Sequence, residues 1–231
     1  MGNVLVNEES LRAIADAIRV KNGSTDKYLP SEMPSAIEGI QSGGEDYARY
    51  AKIIQFTDAS ELPKKVVLNL DTVTSLNSLC SNTSIEELTI NLKQTCTTMQ
   101  RMIYPTKANS LKKIVLNFDT SKVTNMQQTF NWIATADAEI VGELDLSSVT
   151  ITTSMFSYST GLKEIRFKKE TIKMSIPFQS CEKLSAESIQ SIIDGLAIVE
   201  TTQTLTLHAN VKKKLTEEQI SQITSKNWTL A

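Results

Sequence analysis

Apolar and polar residues alternate along the middle of the chain, beginning near residue 50. The alternation occurs in six short segments, at residues 53–56, 66–70, 88–92, 114–118, 144–146 and 165–167. A period of two predicts half-buried β-strands. Equivalent inward positions recur at intervals of roughly 21 to 28 residues, which is the spacing of leucine-rich repeats. These aligned positions are Leu68, Ile90, Leu116, Leu144 and Ile165.

The segments between the strands share a second pattern. A stretch rich in Thr and Ser comes first, followed by two apolar residues three or four positions apart, such as Met99 with Met102 and Met126 with Phe130. One strand with one turn cannot bury its apolar face, whereas the next unit stacked against it can. The sequence therefore predicts a stack of repeating units across residues 50–183.

The first forty residues follow a helical pattern instead. Apolar residues recur at the spacing of one helix face near residues 11–18, and a second, shorter helix is predicted at 31–40. Two such helices bury too little apolar surface to be stable alone, so residues 1–41 are predicted to attach or oligomerise the chain. Residues 42–49 are predicted to form a linker. The predicted contact residues are Leu11, Ile14, Ile18, Met33, Ile37 and Ile40.

The last segment, residues 184–231, departs from the repeat. Ser185 is placed to cap a helix, a strand is predicted at 204–208, and Thr216 with Gln219 forms a capping box that opens a final helix. Such a helix–strand–helix piece can cover the open core of the last unit. The predicted fold class is mainly β with some α: a helical module, a short irregular leucine-rich-repeat solenoid and a C-terminal cap.

Composition and charge narrow the classes of function. A net charge of −2 provides no field to hold polyanions, so nucleic acid is not an expected partner. Cys80, Cys96 and Cys181 are odd in number and widely spaced, which suits small core residues better than a disulfide framework or a zinc site. The N-terminus lacks the pattern of a signal peptide, and no segment has the apolar length of a membrane helix. We therefore expect synthesis in the cytoplasm and no membrane insertion.

The residues that usually carry catalysis do not form a recognisable set. His208 is the only histidine, which excludes a multi-histidine metal centre, and its position in a predicted strand favours a structural role over a place in a catalytic triad. No glycine-rich phosphate loop is present, whereas a pair of carboxylates across a cleft stays open. We expect no enzyme, no metal and no cofactor. Tyr104, Trp132 and Tyr158 are candidate ligand-binding residues, because aromatic rings stack on the apolar faces of sugars; the alternative is that each packs under a loop.

Two segments resemble known families. Residues 117–130 read NFDTSKVTNMQQTF and resemble the BspA-like leucine-rich repeat, with a shortened second copy at 144–148 and 154–156. Residues 11–37, which contain AIADAIRVKNGSTDK and PSEMPSAI, are similar to a short module in tail and baseplate proteins of phages that infect Gram-positive bacteria. Parts of residues 184–230 also look like the ends of such phage repeat proteins.

This resemblance implies a structural and binding component of a phage tail or tail-like particle, with host-receptor recognition at the tail tip or fibre. The implied location is the virion. The implied partners are other tail or baseplate proteins and host cell-surface carbohydrate or protein, with a homo-oligomer that is a trimer by analogy. The BspA-like repeats alone would point to a bacterial surface adhesin or protein-interaction protein. A secretion signal or wall anchor would distinguish that alternative.

Overall fold

The computed structural model describes residues 15, 16, 18, 64–71, 73–80, 84–104 and 110–231. The chain divides into two compact units, residues 1–46 and 47–231. In the first unit, Ala15, Asp16 and Ile18 are helical, and the side chains of Ala15 and Ile18 are buried. The rest of the predicted helical module, the linker, the strand predicted at 53–56 and five predicted contact residues lie outside the described residues. Those five are Leu11, Ile14, Met33, Ile37 and Ile40.

The second unit is built mainly from parallel strands with a few helices. Its larger sheet follows chain order and contains β1 (Lys65–Leu70), β2 (Glu87–Leu92), β3 (Lys113–Asn117), β4 (Ala138–Leu144) and β5 (Leu162–Phe167). A smaller parallel sheet contains β6 (Ile176–Phe178), β7 (Gln203–Leu207) and β8 (Trp228–Leu230). The helices are α1 (Ala186–Gly195), α2 (Ala209–Lys212) and α3 (Glu217–Ser225). Parallel neighbours in chain order are compatible with a repeat solenoid.

The register of the first three strands agrees with the repeat alignment. Leu68 pairs with Ile90, and Ile90 pairs with Leu116. All three side chains are buried, because successive side chains of a strand point to opposite faces and these lie on the inner face. Met99 and Phe130, which belong to the apolar pairs between the strands, are buried in the same core.

The fourth unit corrects the alignment. Leu144 pairs with Phe167 rather than with Ile165, and the strand predicted at 144–146 ends at Leu144 instead of beginning there. The register shifts within β4, which contains Gly142 at a φ of 118°. A β-carbon at this position would lie 2.7 Å from the carbonyl oxygen of Leu116. The irregular strand therefore needs glycine where it passes its neighbour, and this breaks the alternation that the alignment relied on.

The units also repeat at a corner outside the sheet. The backbone adopts a left-handed conformation at Ser78, Arg101, Gln128 and Ser154, with φ between 53° and 56°. Backbone N–H groups at this corner donate to the following unit, as from Ser78 to Gln100 at 3.1 Å and from Gln128 to Thr153 at 3.0 Å. The same local geometry in four successive units shows that the stack repeats beyond its strands.

The C-terminal segment contains the predicted caps. Ser185 accepts a hydrogen bond from the Ser188 backbone N–H at the start of α1, and Thr216 and Gln219 form the capping box of α3. His208 has a structural role, since its Nδ1 accepts from the Asn210 N–H at 3.2 Å and caps α2. The structure adds β6 and β8, which the sequence did not predict. None of the described helices is long and apolar enough to cross a membrane.

A cluster of opposite charges links the beginnings of the first three strands. Glu86 accepts from Lys64 at 2.5 Å and from Lys112 at 2.7 Å, so one carboxylate joins three successive units. Hydrogen bonds from Lys112 and Lys64 lower the pKa of Glu86 from its ordinary 4.5 to about 2. A lowered carboxylate pKa means that the folded state favours the ionised form.

We expect Glu86→Gln to weaken the acid dependence of stability. The contribution of the Glu86 carboxylate is fully present above pH 4.5 and is lost as the pH falls from 4.5 towards about 2. The variant should therefore be less stable than wild type at neutral pH and should lose less stability in this window. Urea unfolding at a series of pH values measures the difference. Glu218→Gln, in the exposed first turn of α3, serves as the control; a wild-type acid response in Glu86→Gln would contradict the prediction.

Candidate functional site

Two aromatic rings form an exposed stacked pair at one corner of the stack. The ring centroids of Trp132 and Tyr158 are 4.3 Å apart, and the ring planes differ by 20°. Trp132 is half-buried, whereas 56% of the Tyr158 surface is exposed. Each ring follows a buried phenylalanine by two residues, and these phenylalanines, Phe130 and Phe156, are themselves stacked at 5.7 Å. The pair therefore occupies equivalent positions in successive units.

The backbone at both aromatic residues is left-handed. The φ angle is 61° at Trp132 and 59° at Tyr158. This conformation costs an L-residue about 1–2 kcal/mol and is uncommon for bulky side chains. Glycine or asparagine would satisfy such a corner at lower free energy. Left-handed corners recur along the stack, so what distinguishes these two is that they carry aromatic rings, one of them exposed, where the corners at Ser78, Arg101, Gln128 and Ser154 carry polar side chains.

Buried hydrogen bonds hold the corner in place. The Ser159 hydroxyl donates to the Phe130 carbonyl at 2.7 Å and accepts from the Ile133 N–H at 3.2 Å. The backbone N–H of Trp132 donates to the Ser157 carbonyl at 2.9 Å. Both turns are thus fixed to each other, which holds the two residues that carry the stacked rings side by side. Asn131, beside Trp132, is buried, and its Oδ1 has no hydrogen-bond partner within the described part of the chain.

The structure separates Tyr104 from this pair. Ile103 pairs with Phe130, so the two residues occupy equivalent positions. Trp132 lies two residues after Phe130, whereas Tyr104 lies only one residue after Ile103. Tyr104 is therefore offset from the position that Trp132 occupies. Its ring lies under the Arg101 guanidinium, 5.0 Å from the charged carbon to the ring centroid. A cation over an aromatic face is a favourable contact. Of the three candidate residues, the structure brings two together and places the third against a neighbouring side chain.

The outward face of the larger sheet is a second candidate surface. Side chains two residues apart along each strand form columns that run across β1 to β4. One column is made of asparagines, in which Asn91 donates to Asn69 at 2.6 Å and Asn117 donates to Asn91 at 2.7 Å. A β-branched column lies beside it, and a charged column lies on the far side of the β-branched column. These columns are Lys65, Glu87, Lys113 and Glu139, and Val67, Thr89, Val115 and Val141.

A shallow groove lies between β6 and the segment that contains Ile151, which pairs with Asn125 outside the larger sheet. It has a volume of about 510 Å³ and is lined by residues 150–154, 174–177 and Thr206. The Thr152 hydroxyl donates to the Ser175 carbonyl across its wall at 2.7 Å. Hydroxyl and apolar groups line the groove, and its lining contains no charged side chain, so it carries no group suited to acid–base chemistry.

Reactive side chains are held in inert environments. Cys80, Cys96 and Cys181 are buried, as predicted for small core residues. Burial raises the pKa of the Cys96 thiol to about 11 and also raises the pKa of the Cys181 thiol, so both stay protonated at neutral pH. Among the described residues, no group of three or more His, Cys, Asp or Glu is placed to hold a metal ion. The described surfaces can therefore bind by stacking, hydrogen bonding and charge.

Fold and surface together define a mainly β protein of stacked parallel strands. A family model described as "Mycoplasma protein of unknown function, DUF285" matches residues 74–192, just over half of the chain. The chain belongs to this family. The matched segment contains β2 to β5 and the Trp132–Tyr158 pair. No curated protein and no solved structure matches the chain.

Proposed function

We propose that this protein is a non-enzymatic binding component of a phage tail or phage tail-like particle. In this proposal residues 1–41, which the sequence predicts to be helical, attach it to other tail or baseplate proteins and bring copies together. Residues 50–183 form a BspA-like leucine-rich-repeat solenoid, which residues 184–231 cap. Two observations support this: the similarity of residues 11–37 to a phage tail module, and the stack of parallel strands that continues from β1 to β5.

The observation that carries the binding role is the Trp132–Tyr158 pair. Its rings are stacked, with Tyr158 exposed and Trp132 half-buried, and the buried Ser159 hydroxyl joins the backbone of the two turns that carry them. An aromatic face that is already assembled loses little conformational entropy when a ligand binds. An aromatic face matches the apolar face of a sugar ring, and this favours cell-surface carbohydrate over a charged ligand. Several copies on one particle would bind a repetitive wall polymer at high effective concentration.

A bacterial surface adhesin is the second candidate. The family match supports it, because that match covers the repeats, not the N-terminal module, and its description names a cellular organism. Both candidates use the same stack as a binding surface. They differ in what carries the stack, since an adhesin would be found on the cell and a tail component on a particle.

Particles assembled with wild-type, Trp132→Ala or Tyr158→Ala protein test the proposal. We expect all three proteins to copurify with the particle, and we expect host adsorption to fall by about tenfold or more for the two variants. This is the loss expected when a central aromatic contact is removed from a binding surface. The variants should stay folded, because the core rings beneath are unchanged. Immunoblots of purified particles and adsorption rates on host cells provide the two measurements.

Lys122→Ala is the matched control, because Lys122 is exposed in the same unit as Trp132. Particles that carry this variant should adsorb like wild type. Removal of residues 1–46 should eliminate the protein from particles. If purified particles lack the wild-type protein while cell surfaces carry it, the adhesin is correct. If both aromatic variants adsorb at the wild-type rate, the binding surface lies elsewhere. Release of soluble sugar or peptide from host walls would show an enzyme instead.

A further inference from the structure

The outward face of β1 to β4 carries an apolar column that is open to solvent. Val67 pairs with Thr89, Thr89 with Val115, and Val115 with Val141. Val67 is 58% exposed and Val141 is 36% exposed, while the two residues between them are half-buried. These β-branched residues stand in a row between a charged column and an asparagine column, and they form an apolar strip that a partner could cover.

The charged column on this face has an order that fits a second copy of itself. From β1 to β4 it reads Lys65, Glu87, Lys113, Glu139, so the sign alternates at each step. Read from β4 to β1, the same column begins with a carboxylate, so the charge at each step is opposite to the charge met when it is read from β1 to β4. A copy turned end to end would therefore place Lys65 opposite Glu139 and Glu87 opposite Lys113.

We propose that this face pairs with the same face of a second copy of the chain, about a two-fold axis parallel to the strands between β2 and β3. This operation keeps strand direction, reverses strand order and lays each column on its own counterpart. Val67 would contact Val141 of the other copy, and Thr89 would contact Val115. Such an interface is isologous, because one patch serves both copies.

The alternative two-fold axis, perpendicular to the strands, does not fit. It would lay the charged column over the asparagine column, where no opposite charges meet. The asparagines instead favour the first arrangement, because Asn91 would lie opposite Asn117, and amide groups both donate and accept. Apolar contact then supplies the attraction, and the charges set orientation and register.

The size of the face sets the expected strength. Four strands spaced at about 4.8 Å and roughly 20 Å long give about 400 Å² on each copy, or about 800 Å² in total. This is the size of weak, reversible complexes. The contact is independent of the proposed function, which assigns copy-to-copy contacts to residues 1–41. It would add pairing between stacks that a particle already holds close together.

Charge exchange in the full-length chain tests the proposal. The half-exchanged variant, Lys65→Glu with Glu87→Lys, keeps the ion pair within the chain that measures 2.8 Å in the wild type. It would set like charges opposite Glu139 and Lys113 of the second copy. The fully exchanged variant adds Lys113→Glu and Glu139→Lys and restores the alternation with all signs reversed. Sedimentation equilibrium measures the association, at protein concentrations from about 10 µM to about 1 mM that bracket the dissociation constant of a weak pair.

We expect wild type and the fully exchanged variant to associate alike, and the half-exchanged variant to associate at least about tenfold more weakly. Fluorescently labelled wild type should associate more weakly with the fully exchanged variant than with unlabelled wild type, since like charges would meet along the column. Association through residues 1–41 is common to all variants and cancels in the comparison. Thermal unfolding shows that each variant is folded. The proposal would be overturned by absence of concentration dependence in wild type, by equal association of the half-exchanged variant, or by labelled wild type associating equally with wild type and with the fully exchanged variant.

Discussion

Gly161→Ala is expected to lower the free energy of unfolding by at least about 3 kcal/mol, the range of severe overpacking. A β-carbon at Gly161 would lie 2.0 Å from the Thr135 carbonyl oxygen and 2.6 Å from the Ala134 carbonyl carbon. Both atoms belong to backbone, so no side-chain rotation relieves the contact. The Gly161 N–H donates to the Ile133 carbonyl at 3.0 Å, which ties the two segments together.

The other two glycines with close neighbours provide a graded comparison. Gly142→Ala should cost less, because its β-carbon would lie 2.7 Å from a single carbonyl oxygen, although its φ of 118° adds strain. Gly195→Ala should cost least, since the atoms it meets are side-chain carbons of Phe167 and Ile172, and alanine favours the helix. Urea unfolding followed by circular dichroism ranks the three. A Gly161→Ala protein within about 1 kcal/mol of wild type would refute the argument.

The stack could be predicted because its inner positions obey one simple rule. Leu68, Ile90 and Leu116 lie in strands of ordinary length, and each is followed by an asparagine and then another apolar residue, so the period of two is visible although Val67 and Val115 face outward. The helix caps at Ser185 and Thr216 were predictable for a similar reason, since each depends on residues three positions away. Local rules of this kind do not need knowledge of the neighbouring unit.

Features that depend on the neighbouring unit could not be predicted in the same way. The irregular course of β4 follows from the approach of Gly142 to Leu116 in the preceding strand, which leaves no periodic signal. Strands β6 and β8 have three residues each, too few for a pattern to emerge. Their position is fixed by pairing with β7, which lies far away in the sequence.

The candidate site was predictable in part. Trp132 and Tyr158 were recognised as aromatics between strands, but their stacking follows from the equal spacing of two residues from Phe130 and Phe156. Tyr104 lacks that spacing, and Arg101 was not recognised as its partner. The charged column had a visible signal, because the first strands begin with Lys-Lys, Glu-Glu and Lys-Lys. The alternation across the sheet needs the strand register, because like charges are adjacent within each segment, as at Glu86 and Glu87.

A second large effect is expected at Phe156, which connects the two sheets through a column of aromatic rings. Its ring stacks on Phe130 at 5.7 Å and on Phe178 of β6 at 4.5 Å, and Phe178 meets Phe167 edge-on at 6.0 Å. Phe156 is fully buried. Phe156→Ala should lower the free energy of unfolding by about 3–5 kcal/mol, because it leaves a cavity bounded by rings on both sides. Phe156→Leu, which fills most of the volume, should cost clearly less.

The effect of Phe156→Ala on the cooperativity of unfolding distinguishes a stack of repeats from a single globular core. In a stack each unit is stabilised by its two neighbours, so the loss of one contact layer weakens the coupling between the parts on either side. Hydrogen exchange should then show amides of β7 and β8 opening at lower free energy than those of β2 and β3, whereas wild type should open them together. Uniform weakening of all strands would contradict this. Tyr158 is two residues from the missing ring, so the same variant should also adsorb more weakly to host cells, and Phe156→Leu should restore both properties together.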